Sequence, residues 1–300
     1  MGGPYACVIT AHDALTGEEL WRRGTIPAPG EPGDESWGDV PYEERKHVGT
    51  WMPPSYDPQL NLIYIGTSVT SPAPKFMLGG TDLTHLYHNS TLALHADTGE
   101  IAWYYQHLND HWDLDHPFER MLVDTVVTPA PSEVSWINPR LQPGETRRVI
   151  TGIPGKTGIV YTLDRETGEF LWATPTIAQN VVTHIDGATG AVTENAEVTF
   201  SALGQEMLVC PTWAGGRGWQ AGAYSPLTNA YYVPAFNGPC SVMKLDSSDP
   251  SIDTGYNTSY IATEASPADQ LGQPEAIDVT TGKTLWSLER ETPLYGMLTT

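Results

Sequence analysis

Apolar positions along the chain fall in short runs, alternating or continuous, separated by polar turns, and four of these runs share one layout. Residues 11–21 read AHDALTGEELW, 93–103 ALHADTGEIAW, 162–172 TLDRETGEFLW and 276–286 AIDVTTGKTLW. Each predicts a strand, a polar turn ending in Thr-Gly, and a short second strand closing on tryptophan. The turn glycines, Gly17, Gly99, Gly168 and Gly282, can supply the positive φ that a tight hairpin needs. The closing residues are Trp21, Trp103, Trp172 and Trp286. YDPQLNLIYI (56–65) and YSPLTNAYYVP (224–234) add two more turns, each running into an apolar strand. Repeated antiparallel hairpins with one tryptophan each predict a β-propeller in which every tryptophan docks its blade against the next. Four unrelated hairpins in a sandwich are the alternative. The same residue types at the same offsets favour the propeller.

The repeats are spaced more widely than the roughly 40–45 residues of the smallest propeller blades. Insertions are therefore expected near 27–47, 177–200 and 245–272. The first of these, IPAPGEPGDESWGDVPYEERK, is rich in Pro, Gly and acids and reads as a surface loop. No sharp boundary divides the chain, so residues 1–300 read as a single all-β domain. Gly 29 and Pro 25 in 300 residues agree with many short strands.

Charge narrows the function. Lys plus Arg is 15 against 36 Asp plus Glu, a formal net charge of −21. That argues against nucleic-acid binding, which needs cations concentrated on one face, and against adhesion to an anionic membrane. No apolar run is long enough to span a bilayer, and Met1-Gly2-Gly3-Pro4-Tyr5 shows no basic, apolar leader. The three cysteines, Cys7, Cys210 and Cys240, fix no compartment by number alone.

Candidate chemistry concentrates in YYQHLNDHWDLDHPFER (104–120). In extended chain Asp113 and Asp115 point to one side, where two carboxylates can share a hard cation or one can act as a base. Asp110, His107, His111 and His116 are nearby in sequence. A polar loop facing solvent is the bland alternative. Two acids inside so aromatic a stretch, beside Trp112, favour a site. Lys156 lies in a Gly-flanked turn that feeds an apolar strand and lacks the spacing of a phosphate loop. Trp213-Ala214-Gly215-Gly216-Arg217-Gly218-Trp219 suits a backbone that closely approaches a flat ligand, or tryptophans that cover a blade edge. The hydroxyls at Thr67, Ser68, Thr70 and Ser71 read as turn caps.

Together these pieces resemble the quinoprotein alcohol dehydrogenases that use pyrroloquinoline quinone (PQQ). The resemblance spans nearly the whole chain and rests on WMPPSYDPQLNLIYIGTS (51–68), YYQHLNDHWDLD (104–115), GKTGIVYTLDRETG (155–168) and CPTWAGGRGWQAGAYSP (210–226), in the family's order. It implies a β-propeller of eight blades, of which this chain holds about half, as an internal portion of a longer protein. It implies oxidation of an alcohol to an aldehyde or ketone by hydride transfer to the quinone. A calcium or lanthanide ion would act as Lewis acid, and electrons would pass to a cytochrome c.

By the same resemblance Trp51 is the floor under the quinone, Asp113 the catalytic base and a metal ligand, and Lys156 the cation at the reactive carbonyl. Asp115 is the extra metal-binding acid of lanthanide-using members. Gly218 and Trp219 are cofactor contacts. Cys210 and Cys240 resemble a family disulfide pair, which implies an oxidising periplasm. The sequence departs from the family at Val69, where the metal-ligating asparagine would fall, leaving Ser68 or Thr70 to offer an oxygen. It departs again at Gly218, where an asparagine usually precedes the tryptophan. A metal-binding glutamate and the upper tryptophan would lie in blades outside this chain. Two other readings are a non-catalytic propeller scaffold of the outer-membrane assembly lipoprotein type, and a fragment inactive by itself.

Overall fold

The computed structural model describes residues 4–70, 74–109, 112–238, 240–245, 256–261 (backbone only), 269–291 and 296–300. The chain divides into two compact units: residues 1–117, 199–206 and 244–257 form one, and residues 118–198, 207–243 and 258–300 form the other.

In the first unit β1 (Val8–His12) and β2 (Glu19–Gly24) form a hairpin. A four-stranded antiparallel sheet follows in simple chain order: β3 (Ser55–Asp57), β4 (Leu62–Gly66), β5 (Ser90–His95) and β6 (Ile101–Gln106). The second unit opens with β7 (Met121–Val127), β8 (Trp136–Ile137), β9 (Glu145–Gly152), β10 (Ile159–Asp164) and β11 (Phe170–Pro175). They form one sheet in the order β7–β9–β10–β11–β8. A hairpin of β12 (Val182–Ile185) and β13 (Val192–Glu194) comes next. The remaining strands are β14 (Glu206–Val209), β15 (Ala223–Ser225), β16 (Ala230–Phe236), β17 (Cys240–Leu245), β18 (Tyr256–Ile261), β19 (Gly272–Asp278) and β20 (Thr284–Ser287). Of these, β15–β16–β19–β20 is a second four-stranded sheet and β14–β17–β18 a three-stranded one.

The four tryptophan repeats are β1–β2, β5–β6, β10–β11 and β19–β20, all in one register. Ala11 faces Trp21, Ala93 faces Trp103, Thr162 faces Trp172 and Ala276 faces Trp286, and each ladder slips immediately after that pair. The turn chemistry explains the shared register. Oδ1 of Asp13, Asp164 and Asp278 accepts the backbone N–H and the hydroxyl of the threonine three residues on, at 2.7–3.0 Å. The following glycine, at φ between 69° and 77° in all four turns, donates its N–H to the carbonyl at the aspartate position. The second repeat has His95 there and keeps this backbone bond.

Docking follows the expected scheme within each unit. Trp21 donates its indole N–H to the Ala96 carbonyl at 2.8 Å, in the turn of the next repeat. Trp172, fully buried, lies against Gly282, where an added Cβ would sit 3.1 Å from the ring. The core of the second unit gathers around Trp172 with Val149, Val160, Leu171, Tyr231 and Val233; that of the first sheet gathers Ile65, Leu86, Tyr87, Leu92 and Leu94.

Two expected insertions differ from the sequence reading. Residues 27–47 are more than a surface loop. Short 3-10 turns at Asp34–Trp37 and Tyr42–Glu44 carry Trp37 into full burial, where its N–H reaches the Leu86 carbonyl. Arg45 covers that ring at 5.5 Å and pairs with Asp34 at 2.7 Å. The isolated tryptophan was the signal that this acidic stretch folds inward. Residues 177–200 contain β12–β13, whose turn repeats the Asp–Thr–Gly chemistry at Asp186, Thr189 and Gly190 but lacks the tryptophan. Of 245–272, β18 is strand, and residues 246–255 and 262–268 lie outside the described residues.

Candidate functional site

In the first unit the chemistry collects at one end of the β4–β5–β6 sheet. Beyond β4 the backbone continues in register: Thr67 N–H bonds the Ser90 carbonyl, and Asn89 N–H bonds the Ser68 carbonyl at 3.1 Å. Beyond β6, His107 N–H bonds the Asn89 carbonyl at 2.9 Å. Asp115 then reaches back from the segment after β6 to accept the Val69 N–H at 3.0 Å. Asp115, only 9% exposed, therefore ties this segment to the continuation of β4. Trp112, Leu114 and His116 are buried around it, with His116 stacked on His107 at 5.3 Å. This packing makes 112–116 a fixed strap.

Asp113 corrects the extended-chain premise. Its φ is +80°, so Asp113 and Asp115 are not displayed as alternating residues of a strand. Asp110 and His111 lie outside the described residues. Of the hydroxyls near Val69, Thr67 is bonded to the Tyr87 carbonyl and the Ser90 N–H, and Ser68 Oγ accepts the Gly49 N–H at 2.9 Å. Ser68 thus clamps the segment leading to Trp51, a residue 48% exposed. Thr70 is buried, and Ser71 lies outside the described residues.

In the second unit the structure joins two segments that the sequence keeps apart. The Gly216 N–H donates to the Lys156 carbonyl at 2.6 Å. At Gly215 (φ +80°) an added Cβ would fall 2.5 Å from Cβ of Lys156, so only glycine permits this approach. Arg217, fully buried, fixes the loop beyond. It donates to the Ile153 carbonyl at 2.8 Å, the Tyr231 hydroxyl at 2.9 Å, the Gln220 carbonyl at 2.9 Å and the Glu119 carboxylate. Glu119 also accepts the Gly222 N–H at 2.8 Å. These bonds hold Gly218 and Trp219 from both sides while the Trp219 ring stays 60% exposed. Cys210 and Cys240 form a disulfide at the start of this region, and Cys7 is a buried free thiol.

The family described as "PQQ: Glucose/ethanol/alcohol dehydrogenase, beta-propeller domain" matches residues 3–183. The chain belongs to this family. Its β-propeller therefore accounts for the hairpin register and the tryptophan docking. The chain is 32% identical over 242 residues to quinohemoprotein alcohol dehydrogenase ADH-IIG of Pseudomonas putida, covering 76% of this chain and 31% of the relative. It is 27% identical over 333 residues to the quinoprotein ethanol dehydrogenase of Pseudomonas putida, covering 97% and 50%. The solved structure of quinohemoprotein alcohol dehydrogenase ADHIIG from Pseudomonas putida HK5 superimposes with a TM-score of 0.78 at 27% identity, over 95% of this chain and 43% of that one. The chain thus spans 31–50% of the length of these relatives, a partial propeller. No helix among the described residues is long and apolar enough to cross a membrane.

The sequence reading did not single out Asn89, which is fully buried with its backbone bonded to Ser68 and His107.

Proposed function

We propose that this chain contributes the catalytic half-site of a PQQ-dependent dehydrogenase that oxidises an alcohol. The observation that supports the reading best is the buried Asp115 carboxylate tied to the Val69 N–H, with Asp113 two residues before it, inside the stretch that matches the family. The donor chemistry fits a hard cation. Carboxylate oxygens such as those of Asp113 and Asp115 are what calcium and lanthanide ions take.

Asp113 and Asp115 would hold the ion, Trp51 would offer its ring to a planar quinone, and Lys156 would meet an anionic oxygen of that quinone. Gly218 and Trp219 would be further contacts of the quinone. Bound PQQ supplies a two-electron hydride acceptor and the cation supplies Lewis acidity. Asp113 then takes the hydroxyl proton of the alcohol on a carboxylate oxygen. Asp115 would be held in place by the Val69 N–H. Electrons leave to a cytochrome c, and the Cys210–Cys240 disulfide suits an oxidising periplasm.

The test is Asp113→Asn in the full-length enzyme. Loss of about 10²–10⁴ in kcat with an unchanged circular dichroism spectrum is expected. Normal turnover by that variant would end the assignment. A titration of the 300-residue chain with PQQ, followed by tryptophan fluorescence with calcium, lanthanum or chelator, should show quenching that depends on metal.

A further inference from the structure

The first unit also holds a cleft whose lining shares no residue with the site proposed above. It encloses about 630 Å³ between Arg23, Glu31, Pro32, Tyr87 and residues 100–104. Successive side chains of a strand point to opposite faces of its sheet. A cleft that meets every residue from 100 to 104 therefore runs along the backbone edge of β6.

That edge is open. β6 ends its sheet, with β5 as its neighbour among the described residues. The hydrogen-bond phase fixes which groups face outward. The His107 N–H bonds the Asn89 carbonyl, so the register makes Thr91–Tyr105 and Ala93–Trp103 the bonded pairs. Leu92 is turned toward β4, in phase with the bond from the Thr67 N–H to the Ser90 carbonyl. Tyr104, opposite Leu92, thus directs its N–H and carbonyl away from β5, and no hydrogen bond among the described residues takes either group.

Natural sheets blunt an open edge with a lysine, a proline, a charge or a very short strand. β6 reads IAWYYQ, six residues with neither charge nor proline, and Tyr104 is 44% exposed. The hairpin's bulge falls before Trp103 and leaves 103–106 in regular register. The opposite edge of the same sheet, β3, is three residues long and ends on Asp57. Charge sits on the rim of the cleft. Glu31 and Glu100 are exposed, whereas Arg23 gives its Nε–H to the Gly99 carbonyl at 2.8 Å and lies 3.6 Å from Glu31. Two carboxylates thus face one guanidinium that is already engaged, in a chain of net charge −21.

We propose that the β6 edge takes an extended, cationic segment of a partner protein as a fifth strand. Main-chain bonds at Tyr104 supply affinity, a Lys or Arg of the segment meets Glu31 and Glu100, and an apolar neighbour lies on the Tyr104 ring. This surface is independent of the PQQ reading.

Peptide binding to the 300-residue chain tests it. The probe is a blocked, fluorescein-labelled octapeptide of alternating threonine and valine with two central arginines, followed by anisotropy. Replacing both arginines with glutamates should weaken binding by at least about tenfold. N-methylation of alternate residues, made in each of the two phases, should weaken one phase by at least about tenfold, because it removes the N–H groups that pair with β6. Tyr104→Pro should bind more weakly than Tyr104→Ala, since the proline also removes the outward N–H. Glu31→Gln/Glu100→Gln should bring the arginine and glutamate peptides to similar affinity. Circular dichroism checks folding, and if the proline variant does not fold, the N-methylated probes decide on the wild type. No binding of the arginine peptide, full binding in both N-methylated phases, or equal binding of the arginine and glutamate peptides would overturn the proposal. So would a wild-type dimer in sedimentation that Tyr104→Pro dissolves, which would give the edge to a second copy of the chain.

Discussion

Trp21 lies across Gly99 so closely that a Cβ at residue 99 would fall 2.4 Å from Cε3 of the indole. The tryptophan that closes one hairpin thus packs on the bare backbone of the next turn, and its N–H is satisfied there by Ala96. This contact shows why the repeat needs both residues. The tryptophan provides apolar area and the glycine provides the gap that receives it.

Gly99→Ala should therefore destabilise the chain by about 2–4 kcal/mol, combining overpacking with the strain of a positive φ. Gly17→Ala is the matched control, since Gly17 has a similar φ of +75° with nothing within 4 Å of the added Cβ. It should cost only about 1–2 kcal/mol. Urea unfolding midpoints measure both, and equal losses would remove docking as the cause.

The Cys210–Cys240 bridge closes a 30-residue separation. Replacing both with serine should cost about 3 kcal/mol, mainly through the unfolded chain. The loss should show as a lower urea midpoint in Cys210→Ser/Cys240→Ser, and as the same lower midpoint in wild type after reduction.

Arg217 is fully buried against Glu119 and three backbone or hydroxyl oxygens. Glu119→Gln leaves that guanidinium without its counter-charge and should destabilise by about 3–5 kcal/mol. Trp219 stands two residues from Arg217, so its emission should shift in the same variant below the unfolding midpoint. An unchanged stability would mean that the backbone carbonyls alone carry the charge.

Glu275 is buried in the second unit, and desolvation raises its carboxyl above the ordinary 4.5, partly opposed by hydrogen bonds from Gln273 and Ser287. The folded state therefore favours the protonated acid. Below pH 4.5 both states are protonated and the group costs nothing. As pH rises from 4.5 through the raised folded value, the unfolded state ionises first and stability falls to a constant lower level. Glu275→Gln should thus match wild type near pH 4 and melt higher than wild type at pH 7. Equal melting temperatures at both pH values would rule out the desolvation cost.

Much of the architecture was legible because it is local. Asp13, Thr16 and Gly17 build their turn with hydrogen bonds spanning no more than a few residues, so the same letters at 164–168 and 278–282 carry the same turn and the same strand register. The turn at 186–190 was hidden because the tryptophan that made the others conspicuous is absent from it. Trp37 was misplaced for a related reason: an acid-rich, Pro-rich segment reads as solvated, whereas one indole with a buried partner at Leu86 outweighs it.

The site divides along the same line. Sequence by itself showed the Thr-Gly hairpins and put forward the site candidates: the aspartates of 113 and 115, Lys156, and the Gly-rich loop before Trp219. Their chemistry resides in side-chain types and short spacings, which any linear reading can see. Only the tertiary structure decided that Asp115 reaches back to the Val69 N–H, that Gly215 and Gly216 press on Lys156, and that Asn89 carries a buried amide between Ser68 and His107. Those relations join residues tens of positions apart through sheet register and close packing. Both arise from the balance of many long-range contacts, which no single segment encodes.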